Sequence, residues 1–116
     1  MSAVATSQPD VETDLLREIT TRLREGLRPV SLYLFGSRAE GLASDESDYD
    51  LMVIVADSNL PRYERAARAR GLLSGIDASF DIIVLTLEEW QRQLKSGVSL
   101  ANTVAEEGVL LYDNRA

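Results

Sequence analysis

"FGSRAEGLASDESDYDLMVIV", residues 35–55, ends one apolar run on a glycine–serine pair and opens another behind Asp45, Glu46, Asp48 and Asp50. Each carboxylate at the entry to a hydrophobic strand costs free energy unless a hydrogen bond or a cation compensates it. Asp48 and Asp50 are separated by one residue, so on a strand their side chains share a face. Their Cα atoms then lie about 6.5–7 Å apart. Two carboxylates at that spacing can converge on a pair of cations about 4 Å apart, as two-metal phosphoryl transfer requires. Tyr49 points the other way, into packing. Asp45 and Glu46 read as solvated loop acids.

A third carboxylate is needed to complete such a ligand set and to take the proton of an attacking hydroxyl. Asp81 is the candidate, because it too opens a hydrophobic strand, "DIIVLT". If the two strands are neighbours, Asp48, Asp50 and Asp81 meet at one edge of a sheet. Gly36 supplies a tight turn and close backbone approach to a ligand, and Ser37 opens a turn or two of helix as its N-cap, offering a hydroxyl and free N–H groups to an anion. Arg38 either reaches a bound triphosphate or pairs with Glu40 or Asp45. A lone D-x-D or a lone Gly-Ser is ordinarily a turn. The combination of strand, Gly-Ser, ten residues, D-x-D, strand and a later strand-opening aspartate is far less common.

Outward from this stretch, strands alternate with helices. Residues 1–9 read as a disordered tail. "DVETDLLREITTRLREG" has helical spacing, with Leu15, Ile19 and Leu23 on one stripe, Leu16 and Leu27 beside it, and Gly26 as its stop. "VSLYLFG", "DYDLMVIVA" and "FDIIVLT" read as strands and "VLLYD" as a short final one. "DSNLPRYERAARARGLLSG" reads as a helix with Pro61 in its first turn. Its Arg62, Arg65, Arg68 and Arg70 read as a wet face, Glu64 and Arg68 forming an i,i+4 pair. Tyr63 and Trp90 read as core. Thr86 and Glu89 form a capping box that opens a further helix, interrupted by Gly97, and "VSLANTVAEEG" continues helically to Gly108. Asp77 belongs to the "GIDAS" turn. The alternation predicts one α/β (α+β) layered domain over residues 10–116. "LMVIV" is apolar on both faces and so must be covered on both. With few helices available, a partner or a second copy is expected to complete that cover.

Composition removes whole classes of chemistry. The chain has no histidine and no cysteine, which excludes imidazole bases, Ser-His-Asp triads, thiolate nucleophiles and zinc-thiolate sites. Carboxylates with oxygen-loving cations such as magnesium or manganese remain. The net charge of −7 opposes general nucleic-acid binding. The first residues lack a signal-peptide pattern, and no apolar run is long enough to span a bilayer. A soluble cytoplasmic protein is the expectation.

"GSRAEGLASDESDYDL" resembles the nucleotidyltransferase signature of the polymerase-beta superfamily, and in its compact form the minimal nucleotidyltransferase (MNT) family of bacteria and archaea. The likeness runs over nearly the whole chain. It implies a polymerase-beta-like single-domain fold, a mixed sheet with helices packed on one face. It also implies that Asp48, Asp50 and Asp81 bind divalent metal, two Mg2+ or Mn2+ ions, with Asp81 as a further ligand or as general base. Gly36 and Ser37 then cradle the phosphates of ATP, with Arg38 and Ser47 beside them. The family often carries arginine where Glu40 stands here. Chains this short in the family accompany a helical HEPN partner protein. The resemblance therefore implies an antitoxin that transfers AMP to a tyrosine of that partner. The alternatives are a small hydroxyl acceptor such as an aminoglycoside, or a non-catalytic binding module.

Overall fold

The computed structural model describes residues 10–41 and 47–114, with the side chains of the first helix described from Asp14 onward. The expected tail (residues 1–9) and the loop acids Asp45 and Glu46 lie outside the described residues. Four helices and four strands follow in the order α1 (Asp10–Leu27), β1 (Ser31–Phe35), a 3-10 turn (Gly36–Arg38), β2 (Tyr49–Val55), α2 (Arg62–Leu72), β3 (Phe80–Thr86), α3 (Leu87–Ser96), α4 (Leu100–Glu107) and β4 (Val109–Asp113). The sheet order is β3-β2-β1-β4. β1 runs antiparallel to both β2 and β4, while β2 and β3 are parallel. The α/β reading and the mixed sheet therefore hold.

Side-chain alternation along β2 divides the core in two. Leu51 and Val53 face Ile19 and Leu23 of α1 and Ala69 of α2, together with Leu73 just beyond α2. Met52 and Ile54 face Trp90 of α3 and Ala101 and Val104 of α4. All four of these β2 side chains are completely buried, each stabilising the fold by about 1.5–3 kcal/mol. Helices thus cover both faces, not one. The expectation that β2 would need a partner for its second face fails for the same reason: α3 and α4 are short, but each buries an apolar stripe. Capping makes such short helices viable. Thr86 accepts from the Glu89 N–H while Glu89 accepts from the Thr86 N–H, as the pattern predicts, and Ser99 and Asn102 form a second box at α4.

Three local expectations need correction. Gly26 does not stop α1; the helix runs on to Leu27 and Arg28 takes the left-handed position, φ 49°. Gly26 instead admits α2, since a β-carbon there would overlap the Leu72 side chain. Tyr63 is exposed rather than core, whereas Trp90 is buried and stacks on Tyr33 with centroids 5.5 Å apart. Arg65 is not on a wet face. Its guanidinium is buried, donating to the carbonyls of Leu60 (2.8 Å) and Val84 (3.2 Å) and pairing with Glu89 at 2.7 Å.

The Arg65 guanidinium holds the Glu89 carboxyl down at about 2, against an ordinary value of 4.5, with the Thr86 N–H and Arg62 adding to the effect. A depressed carboxylate contributes stability that is complete above the ordinary value and is lost as pH falls from 4.5 towards 2. Allowing for solvent that still reaches Glu89, the contribution is on the order of 2 kcal/mol. Glu89→Gln should lower urea stability by about that much at pH 7, with the difference from the parent shrinking through that acid window. Separately, Arg28→Gly should raise stability by about 0.5–1 kcal/mol, since only the left-handed strain is removed; matched urea melts measure both.

Candidate active site

The end of β1 and the beginnings of β2 and β3 converge on one edge of the sheet. Phe35 is paired with Asp50, and Asp50 in turn with Asp81, so the three form one row across three strands. Residues in one row of neighbouring strands lie about 5 Å apart and project to the same face. Asp50 and Asp81 therefore stand side by side on the face that carries Met52, Ile54 and Ile83 further along. Asp48 lies just before β2, exposed at the rim. The condition set by the sequence, that the strands opened by Asp50 and Asp81 be neighbours, is met by this register.

Gly36 follows Phe35 directly, with φ +76°, and a β-carbon on it would overlap the Asp50 carboxylate. Two independent constraints thus require glycine here: the left-handed backbone and the close approach of Asp50. The turn that follows is a single 3-10 turn in which the Ala39 and Glu40 N–H groups donate to the Gly36 carbonyl at 3.1 and 3.2 Å. Ser37 lies inside this turn. The capping position belongs to Phe35, with no side-chain cap, so the reading of Ser37 as a helix N-cap is not met. A helix needs more residues than this segment gives it before Gly41 takes φ +77°.

Electrostatics marks the same spot. Burial raises the Asp50 pKa above the ordinary carboxylate range, and the neighbouring charges of Asp81 and then Asp48 raise it further. All three influences act in one direction, as expected where like charges share a site without a counterion. Among the described residues, no three acidic side chains are gathered closely enough to ligate a single ion. The donor chemistry nonetheless fits a hard divalent cation: carboxylate oxygens, two of them placed side by side by strand register.

The remaining site candidates are placed as follows. Arg38 donates from Nε and Nη2 to the Ser47 carbonyl, at 3.1 and 2.8 Å, and its guanidinium lies 3.9 Å from the centroid of the Tyr49 ring. Ser47 is thereby tied to the 3-10 turn through its backbone. Asp77 is exposed in a bend, as the turn reading has it. An aromatic pair behind the carboxylates escapes motif reading: Tyr49 is buried, its N–H donates to the Ser79 carbonyl at 2.9 Å, and its ring packs on Phe80 at 5.9 Å. Each of these aromatics is the chain neighbour of a site aspartate. Strand alternation signals that placement for Tyr49; the contact with Phe80 follows only from parallel pairing of β2 and β3.

A four-stranded mixed sheet with a Gly-Ser turn at the end of β1 and paired aspartates on β2 and β3 has the layout of nucleotidyltransferases of the polymerase-beta type. The chain belongs to that family: the family model "Polymerase beta, Nucleotidyltransferase" matches residues 17–115. Among solved structures, a toxin–antitoxin with AMP-PNP is similar at 28% identity and TM-score 0.59, over 84% of this chain and 73% of that one. A mutant of the toxin–antitoxin MntA-HpeT, with two aspartates two positions apart changed to glutamate, is similar at 26% identity and TM-score 0.57, with the same coverage. A putative nucleotidyltransferase from Sulfolobus solfataricus shares the fold at TM-score 0.61 and 22% identity, over 91% of this chain and 86% of that one. No curated protein matches significantly.

A carboxyl whose pKa is raised in the folded state costs stability above its ordinary range, and the cost vanishes as pH falls below that range. Asp50→Asn should therefore melt at a higher temperature than the parent at pH 7 without added metal. The gain should disappear on acidification below pH 3.8, where Asp50 is protonated in both states. Calorimetry across that range checks the sign.

Proposed function

We propose that the protein is a divalent-metal-dependent nucleotidyltransferase that moves AMP from ATP to a hydroxyl acceptor. The acceptor in this reading is a tyrosine of a helical HEPN-type partner, so that the protein acts as the antitoxin of a pair in the cytoplasm. Residues 10–116 form the transferase domain. The observation that carries the reading is the row of Asp50 and Asp81 with Gly36 pressed against Asp50. The likeness to a toxin–antitoxin with AMP-PNP supports the nucleotide and the partner class. The mutated pair in the MntA-HpeT relative has the spacing of Asp48 and Asp50.

Asp48, Asp50 and Asp81 would hold two magnesium ions, for which manganese substitutes, and these would neutralise the charge of the triphosphate as its geometry changes. The Gly36–Ser37 turn receives the β- and γ-phosphates, where the absence of a side chain at 36 lets the backbone come close. Ser47 is held next to that turn. The acceptor oxygen bonds to the α-phosphorus while its proton passes to Asp81. The bond from that phosphorus to the β-phosphate oxygen breaks in line, releasing pyrophosphate. Positioning of the two reactants supplies much of the rate.

The experiment is to incubate the protein with α-labelled ATP, magnesium and the product of the adjacent gene. Label should appear on a tyrosine of that product, and Asp48→Ala or Asp50→Ala should reduce it to background. Inhibition of the partner that survives both substitutions, with no label transferred, would show a binding module instead.

A further inference from the structure

We propose that Arg38 is a positioning residue, which sets the Asp48 and Asp50 carboxylates against the Gly36–Ser37 turn from behind the site and does not contact the nucleotide. The proposal rests on the transferase reading for its functional meaning, and on contacts within the chain for its physical content. Arg38 sits two residues after Gly36, whose missing side chain is what admits Asp50. From there its guanidinium spans to the other arm of the site. Nε and Nη2, the two donors on one edge of the fork, meet the single carbonyl of Ser47, and the flat of the group covers the Tyr49 ring at 3.9 Å.

Ser47 and Tyr49 are the residues immediately before and after Asp48. Holding both of them fixes the direction in which Asp48 leaves the backbone, although Asp48 itself lies outside regular structure. Tyr49 is 4% exposed and belongs to the sheet face turned towards α1 and α2, opposite the carboxylates. The guanidinium over it therefore works on the reverse of the strand entry. The contact continues from Tyr49 to Phe80, 5.9 Å between centroids, and so to the residue before Asp81. One cation thus joins the turn, the D-x-D pair and the third acid by a route that never passes through the carboxylates.

Only arginine meets these demands together. A lysine ammonium is a compact point charge that cannot fork onto one carbonyl and lie flat on a ring at once. The cation also satisfies the Ser47 backbone oxygen directly before the D-x-D pair. A charge-assisted bond to that oxygen and a cation–π contact act together on one guanidinium.

The test uses the full chain carrying Arg38→Gln or Arg38→Lys. Amide exchange by NMR reads the Tyr49 N–H, which donates to Ser79, against the core amides of Leu32 and Val53. Mn2+ alone, without nucleotide, reads the carboxylates by paramagnetic titration. Transfer assays separate kcat from KM for ATP. Arg38→Gln should lower Tyr49 protection and Mn2+ affinity each by about tenfold, as supporting residues of metal sites do, with the core amides unchanged. It should lower kcat while leaving KM for ATP near the parent value, and Arg38→Lys should restore less than half of the Mn2+ affinity. A raised KM for ATP with Tyr49 protection and Mn2+ affinity intact would overturn the proposal and make Arg38 a phosphate ligand. Loss of protection at all three amides together would overturn it too, as a general structural role. If the parent chain binds no Mn2+ and transfers nothing, the transferase reading falls, while the exchange comparison still decides whether Arg38 holds the Asp48 segment.

Discussion

Three negative charges meeting at one end of a small sheet repel one another, and the rest of the fold holds them there in spite of it. Asp50 bears most of the conflict, being pushed towards protonation by its own burial and by Asp81 and Asp48. What resists is the register. Asp50 cannot leave Asp81 unless β2 slips along β3, and a slip of one residue would turn Leu51 and Val53 towards α3 and α4. The two buried clusters on opposite faces of β2 therefore fix the acids as firmly as any local bond. This is why a strand apolar on both faces stands directly behind a charged entry.

The turn and the acids are reciprocal parts of one device. Gly36 makes room for the Asp50 carboxylate, and the 3-10 turn then brings Arg38 back across the start of β2. Packing is dense on the back, where Arg38, Tyr49 and Phe80 lie against one another.

Much of this was legible before any coordinates. Short apolar runs bounded by turn residues marked all four strands, and the aspartates that open two of them pointed to neighbouring strands, because buried strands read as apolar runs of this length. The capping box at Thr86 and Glu89 could be read from spacing alone. What escaped depends on distance across the fold. α3 and α4 were read as helices, but not their place on the second face, because which face of a sheet a helix covers depends on the path of the chain and not on its local pattern. Arg65 looked like a surface charge because its partner Glu89 lies 24 residues away and on another helix. Gly26 looked like a helix stop because sequence shows the absence of a side chain but not the Leu72 that needs its place. Arg28, which has the left-handed conformation in fact, carries no compositional sign of it.

The Arg65–Glu89 pair has a bearing on how the sheet ends. β3 is an outermost strand, and outer strands normally offer a row of free backbone groups to any extended chain that passes. Here α2 and α3 sit on opposite faces of the sheet, and the ion pair joins them around that outer strand. One arm of the guanidinium occupies the Val84 carbonyl in mid-strand. A chain seeking to lengthen the sheet on this side would have to expel a buried cation from two carbonyls and a carboxylate and break the tie between two helices. The border next to Asp81 is thus sealed against strand exchange, and the sheet is finite on that side by charge as well as by topology.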